Sequence, residues 1–249
     1  MRLTPVLLAV SAWLLAAVSA SAGDPCRAIN YLGIPYTVCT FDPAASDIRV
    51  YNLDSDGQPF GSFEPLAAEL ATKGQHLSFA TNGGMYHADK QPVGLLIENG
   101  TEKKPASTGA GWGNFHLLPN GVFYLEAGKA GVMETKEFLA SGAQPRFATQ
   151  SGPMLVIDGQ LHPKFLPKSD SLKIRNGVGV DADGRVQFAI SEAPVRFYDF
   201  ARLFRDILGC RNALYLDGTI SSLYWPGGGR RDSLFPLGPI IAVVGDGPF

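Results

Sequence analysis

The stretch Arg196–Gly218, RFYDFARLFRDILGCRNALYLDG, carries two periodicities in succession. Phe197, Phe200, Ala201, Phe204 and Leu208 recur at i, i+3, i+4, i+7 and i+11, the spacing of one helix face. Gly209 closes that pattern, as glycine does where a helix end must turn left-handed. Ala213–Asp217 then reads as a short buried strand that stops abruptly at Asp217-Gly218. A helix that hands directly to a buried strand argues for a fold containing both elements.

Elsewhere, strands dominate. They are expected at Tyr36–Phe41, Ile48–Leu53, Leu77–Asn82, Gly94–Glu98, Gly121–Glu126, Met154–Ile157, Gly177–Asp181, Val186–Ser191 and Ile240–Val244. Asp-Gly and Asn-Gly pairs punctuate them, including Asp56-Gly57, Asn99-Gly100 and Asp183-Gly184. One further helix follows Ser62, a residue suited to N-capping, with Glu64 in its first turn, and runs to about Lys73 before Gly74. Many strands and few helices predict an α+β fold, one domain with a mixed, strand-rich twisted sheet.

Residues 1–22 read as a signal peptide: Arg2, an apolar run from Val6 to Val18, and the small-residue cleavage site Ala20-Ser21-Ala22. The domain is then 23–249, exported to a periplasmic or extracellular space, with no stable membrane insertion after cleavage. Removing Arg2 leaves 20 of the 21 basic residues against 23 acidic ones, a net charge of −3. That disfavours nucleic acid as a partner, because such binding draws on Lys and Arg neutralising phosphates. Lys103-Lys104 and Arg230-Arg231 read as solvated surface. A monomer is expected.

Three cysteines follow the leader. If Leu32-Gly33 is a two-residue turn in CRAINYLGIPYTVC, the register places Cys26 opposite Cys39, close enough for a disulfide. Cys210 is left as a buried small apolar residue at the helix–strand junction. No Cys-x-x-Cys or His-x-x-x-His pair and no calcium-loop spacing occurs, so neither a metal nor another cofactor is expected.

Four strand ends share one layout, an apolar run stopping in polar, glycine-flanked residues: Asn82-Gly83-Gly84, Gln150-Ser151-Gly152-Pro153, Arg175-Asn176-Gly177 and Asp217-Gly218. Taken singly, each is an ordinary turn. Glycine amides can approach an anion closely, and Arg175 can recognise phosphate or carboxylate bidentately.

The ordered set Asn82-Gly83-Gly84-Met85-Tyr86, Pro92-Val93-Gly94-Leu95, Gln150-Ser151-Gly152-Pro153, Arg175 before Gly179-Val180-Asp181, and Leu216-Asp217-Gly218 ahead of Ser221-Ser222 resembles the phosphodiester glycosidase family. The resemblance runs from about Tyr36 to Val244. It implies hydrolysis of the bond between a sugar, such as N-acetylglucosamine, and phosphate in a sugar-1-phosphodiester of a glycan or envelope polymer. Family members usually carry Asp-Gly-Gly-Gly-Ser where this chain has Asp217-Gly218-Thr219-Ile220-Ser221, so the carboxylate and serine persist while the turn changes.

Such a reaction builds oxocarbenium character at the sugar, which a carboxylate stabilises or attacks, while the phosphate leaving group needs its charge neutralised. Asp217 is accordingly the expected carboxylate nucleophile, base or stabiliser. Glu192, just past a strand, is the second. Arg175 and the Gly83-Gly84 amides are expected to hold phosphate. Asn82, Gln150, Ser151, Gly152 and Ser222 are expected at the substrate, with His87 beside them. His87 and His116 could each serve as general acid but read first as polar rim residues, His162 is a weaker candidate than either, and Asp181 reads as the cap of its own turn. The alternative is a non-catalytic carbohydrate- or phosphate-binding module using the same cleft. A serine hydrolase lacks a Gly-x-Ser-x-Gly elbow.

Overall fold

The computed structural model describes residues 24–247; the expected signal peptide, residues 1–22, lies outside them. The chain opens with β1 (Cys26–Tyr31), β2 (Ile34–Phe41), β3 (Asp47–Tyr51), α1 (Phe63–Thr72), β4 (Gln75–Asn82), β5 (Leu96–Glu98) and β6 (Thr101–Lys104). Next come β7 (Gly121–Glu126), β8 (Lys129–Glu134), α2 (Thr135–Ser141), β9 (Phe147–Ser151), β10 (Met154–Ile157) and β11 (Gln160–Leu161). The last third holds β12 (Asn176–Val180), β13 (Val186–Ser191), α3 (Phe197–Arg202), β14 (Asn212–Tyr215), β15 (Leu223–Trp225), β16 (Arg230–Arg231) and β17 (Ile240–Asp246).

These strands make three sheets, ordered β1-β2-β13-β12-β14-β10-β11, β16-β15-β4-β17-β3 and β6-β5-β9-β7-β8. The α+β class and the single strand-rich domain hold. The expected mixed sheet does not: every pairing between these strands is antiparallel. The helix of the opening stretch does cross from β13 to β14, two strands running the same way. However, β12 lies between them and opposes both, so no parallel neighbours form.

The three sheets enclose one core, and alternation along each strand sorts inward from outward residues. On β17, Ile241 and Val243 face inward, while Ile240, Ala242 and Val244 face α1. On β14, Leu214 faces inward and Ala213 and Tyr215 face α3. On β7, Phe123 and Leu125 face inward and Val122 faces α2. Each sheet therefore has one helix on its outer face. At the centre, Phe188 meets Phe79 at 5.1 Å and Phe123 at 6.0 Å, one ring from each sheet. Truncating a buried ring of this kind costs about 3–5 kcal/mol.

Helix α1 starts as expected, although the Ser62 side chain makes no capping bond. Helix α2 had no sequence signal, because it is short and its cap is Glu134, whose carboxylate accepts from Lys136 N and Glu137 N. Helix α3 passes into a π-helical turn over Leu203–Ile207, sealed by Leu208 N donating to Leu203 O at 3.0 Å. The helix lies close on β12 because Gly179 has no side chain there. A Cβ on it would stand 2.6 Å from Cys210 Sγ. Burial pushes the Cys210 thiol above its usual range.

The expected hairpin is present, with Leu32 and Gly33 both at positive φ, and Cys26 is bonded to Cys39. Asp181 caps its own turn through Asp183 N and Arg185 N.

Candidate functional site

The inward faces of the three sheets end together, where hydrophobic residues give way to a buried polar layer. Asn82 closes β4, Asn176 opens β12 and Ser222 precedes β15, all 2 % exposed or less. Asn176 Nδ2 donates to Asn82 Oδ1 at 2.8 Å and to Thr81 Oγ1 at 3.0 Å. Asn82 Oδ1 also accepts from Ser222 N at 3.0 Å, and its Nδ2 donates to the backbone carbonyl of Asp217 at 3.1 Å. Asn82 thereby ties together the strand ends that carry Asp217 and Ser222.

Asp217 sits at the lip of this layer, half-buried. Its Oδ1 accepts from Thr219 N at 3.3 Å, and burial raises its carboxyl above the ordinary carboxylate range. The turn beyond it is fixed from below: Gly218 N donates to Tyr215 Oη at 2.7 Å. A Cβ on Gly218 would lie 2.0 Å from that hydroxyl and 2.8 Å from Ile174 O, so glycine is required there by close approach.

Gly218 and Thr219 line an open cleft of about 440 Å³. Its polar wall holds Glu192, Arg230, Asp232 and Lys173, and its apolar wall holds Leu234 and Phe235. Arg230 spans two carboxylates, with Nη1 2.5 Å from Glu192 Oε1 and Nη2 2.9 Å from Asp232 Oδ2. Thr37 Oγ1 donates to the same Glu192 oxygen at 2.6 Å.

Several expected ligand contacts are corrected. Gly83 N donates to Pro239 O at 2.6 Å and Gly84 N to Thr149 Oγ1 at 3.2 Å, so these amides hold the chain instead of facing an anion. Arg175 is buried. Alternation turns Asn176 and Val178 inward and therefore Arg175 outward, under α3. There its Nε donates to Val195 O at 2.9 Å, its Nη2 to Ser171 O at 3.1 Å, and its guanidinium lies 3.6 Å over the Phe197 ring. Burial depresses the Arg175 pKa.

Gln150 also points outward. Its Oε1 accepts from Leu95 N and Ser107 N, and its Nε2 donates to Ser107 O and Thr135 Oγ1, which uses the amide fully within the protein. Ser151 is wholly buried, and Gly152 lets two backbones meet, since a Cβ would sit 2.9 Å from Phe115 O. Ser222 Oγ is turned back to Ile220 O. His87 is exposed at the tip of a turn closed by its own N–H to Gln91 O.

Of the expected residues, Ser222 and Glu192 line the cleft, Asn82 adjoins it through Ser222 N and Asp217 O, and Arg175 and Gln150 point away from it. Arg230, Lys173 and Asp232 were missed as cleft residues. The signal available was Gly227-Gly228-Gly229, which folds Arg230 back beside Trp225 in a hairpin.

The sequence profile of the family described as phosphodiester glycosidase matches residues 75–236, which contain this rim and cleft. The chain belongs to the phosphodiester glycosidase family. It is 37% identical over 224 residues to the uncharacterized Escherichia coli (strain K12) protein YigE, covering 90% of this chain and 87% of that one. Among solved structures it is similar to the catalytic domain of zebrafish N-acetylglucosamine-1-phosphodiester alpha-N-acetylglucosaminidase, auto-inhibited by its pro-peptide. That match has a TM-score of 0.60 at 15% identity and covers 88% of this chain and 81% of the other. A hypothetical protein from Synechocystis matches with a TM-score of 0.54 at 15% identity, covering 88% and 61%. At such identities the structural likenesses establish the fold. Within the family's layout, Thr219 and Ile220 occupy a 3-10 turn in which Ile220 is buried against the α1 side of the core.

Proposed function

We propose that the protein is an exported hydrolase that cleaves the bond between a sugar and phosphate in a sugar-1-phosphodiester of a glycan or envelope polymer. The observation that carries this reading is the half-buried carboxylate of Asp217, which directly precedes Gly218 and Thr219 in the lining of the cleft that holds Glu192 and Arg230. In the proposed reaction the anomeric C–O bond breaks with its electron pair going to the phosphate oxygen. Asp217 stabilises or captures the positive anomeric centre, water supplies the oxygen that replaces phosphate, and a carboxylate takes the water's proton. Glu192 is proposed as the second carboxylate. Arg230 and Lys173, which face the cleft, are proposed to neutralise the departing phosphate in place of Arg175. Asn82 and Ser222 position the rim. The Cys26–Cys39 disulfide supports export, because such bonds persist in oxidising compartments. Among the described residues no helix is long and apolar enough to cross a membrane.

The test is release of a phosphomonoester, followed by phosphorus NMR, from a panel of glycosyl-1-phosphodiesters that includes N-acetylglucosamine. Turnover of at least one substrate, reduced about 100-fold or more in Asp217→Asn, is the expected result. Full activity of that variant overturns the site assignment. Tight glycan binding with no turnover across the panel would establish the non-catalytic module instead.

A further inference from the structure

Gln150 has a consequence outside the cleft. Its side-chain amide grips Ser107 on both sides, through Ser107 N at 2.9 Å and Ser107 O at 2.8 Å. Ser107 begins the segment STGAGWGNF, residues 107–115, which contains no charged residue and three glycines. The far end of the segment is held as well. His116 Nδ1 bonds Gly109 O at 3.1 Å, and the imidazole lies so close over Gly111 that a Cβ there would stand 2.5 Å from it. Phe115 is buried beneath, against Gly94. Between these fixed points Trp112 is 98 % exposed.

An indole held fully in water contributes nothing to the core, and the loop around it is anchored instead of trailing free. The loop lies at the same end of the sheets as the candidate site. Gln150 holds its base, and the preceding residue, Thr149, accepts from Gly84 N in the Asn82-Gly83-Gly84 turn. We infer that Trp112 is a stacking platform for a pyranose ring of a glycan chain extending beyond the cleft, with the exposed Asn114 beside it to bond ring hydroxyls. A neutral hydroxylated ring matches the loop's own chemistry: an apolar face for the sugar's C–H groups, polar uncharged residues on either side of it, and no charge within residues 107–115, the nearby Glu134 and Lys136 lying beside Thr108 at the loop's base. The inference rests on the glycan-directed reading above and narrows it to substrates longer than one sugar.

Binding, not turnover, tests it, so a failed hydrolysis assay leaves the result readable. Wild-type protein, Trp112→Ala and Trp112→Phe would be titrated with neutral tetramers of N-acetylglucosamine and of glucose, by calorimetry and by tryptophan fluorescence. The wild type is expected to bind at least one tetramer with a saturable fluorescence change that Trp112→Phe abolishes. Trp112→Ala should weaken that binding at least tenfold with an unchanged Tm, since the side chain supports nothing else. No saturable binding of either tetramer, or less than a twofold loss in Trp112→Ala, overturns the proposal. So does Trp112-dependent binding to phosphatidylcholine vesicles, which would mark the loop as a membrane contact.

Discussion

Asn82 and Asn176 face each other across two sheets and exchange side-chain amide bonds, Asn176 Nδ2 to Asn82 Oδ1 at 2.8 Å and Asn82 Nδ2 to Asn176 Oδ1 at 3.4 Å. The same Asn82 amide holds Ser222 N and Asp217 O, so its loss leaves these two backbone groups without partners, while Asn176 keeps Thr81 Oγ1 and Ser221 Oγ. Each such group costs about 1–3 kcal/mol. Asn82→Ala should therefore lower stability by about 2 kcal/mol or more, read as a lower midpoint in urea unfolding. A midpoint within error of wild type would show that the layer is not structurally coupled.

Asp217→Asn should make the protein more stable at neutral pH. Burial raises the Asp217 pKa in the folded state, so between the unfolded and folded values the native state binds more protons than the unfolded one. Stability then falls as pH rises through that window, and the penalty persists above it. Asparagine keeps an oxygen for Thr219 N and removes the charge. Thermal unfolding at pH 7 should show a Tm a few degrees higher, with the difference shrinking on acidification; a lower Tm at pH 7 contradicts the raised pKa.

Gly218→Ala should be severely destabilising, because its Cβ would collide with both Tyr215 Oη and Ile174 O. Tyr215→Phe should relieve part of that cost, and the double variant should be less destabilised than the sum of the singles. Strict additivity in denaturant unfolding would mean that the hydroxyl is not what excludes a side chain there.

Thiol counting addresses the cysteines. With Cys26 and Cys39 bonded and Cys210 buried, the native protein should show no thiol reactive to a disulfide reagent, and one after unfolding without reductant. The bond joins residues 13 apart, and closing a loop of this order stabilises by about 3 kcal/mol in the chain-entropy account. Reductant should lower the Tm accordingly.

The sequence made the strands legible where inward residues alternate with outward ones. Nine of the expected strands coincide with β2, β3, β4, β5, β7, β10, β12, β13 and β17, and the tenth with β14, within a few residues at each end. It concealed elements too short to show a period, such as β11, β16 and α2. At the site, sequence position identified the rim but not side-chain direction. Arg175 and Asn176 are neighbours in one motif, yet alternation sends Asn176 into the polar layer and Arg175 under α3. Gln150 is likewise separated from Thr149 and Ser151. Within a regular strand, alternation sends neighbouring side chains to opposite faces, and only at the last residues of β4 do two neighbours, Thr81 and Asn82, both reach Asn176. The cleft cation Arg230 was concealed for a different reason: it arrives on a two-residue strand whose pairing only the three-dimensional hairpin reveals.

Among the described residues, three open sheets have six margins without a further strand, formed by β1 and β11, β16 and β3, and β6 and β8. Charge collects on those margins: Arg27 on β1, Asp47 and Arg49 on β3, Glu102, Lys103 and Lys104 on β6, Lys129 and Glu134 on β8, and Arg230 and Arg231 on β16. Apart from His76 on β4, the interior strands carry acidic or basic side chains only at their last residues, Glu98, Glu126 and Asp246. Edge charges of this kind oppose the addition of a foreign strand. The lysine pair on β6 and Arg231 on β16 thus oppose pairing with a foreign strand, and replacing Lys103 and Lys104 with valine or threonine would turn β6 into a template for aggregation.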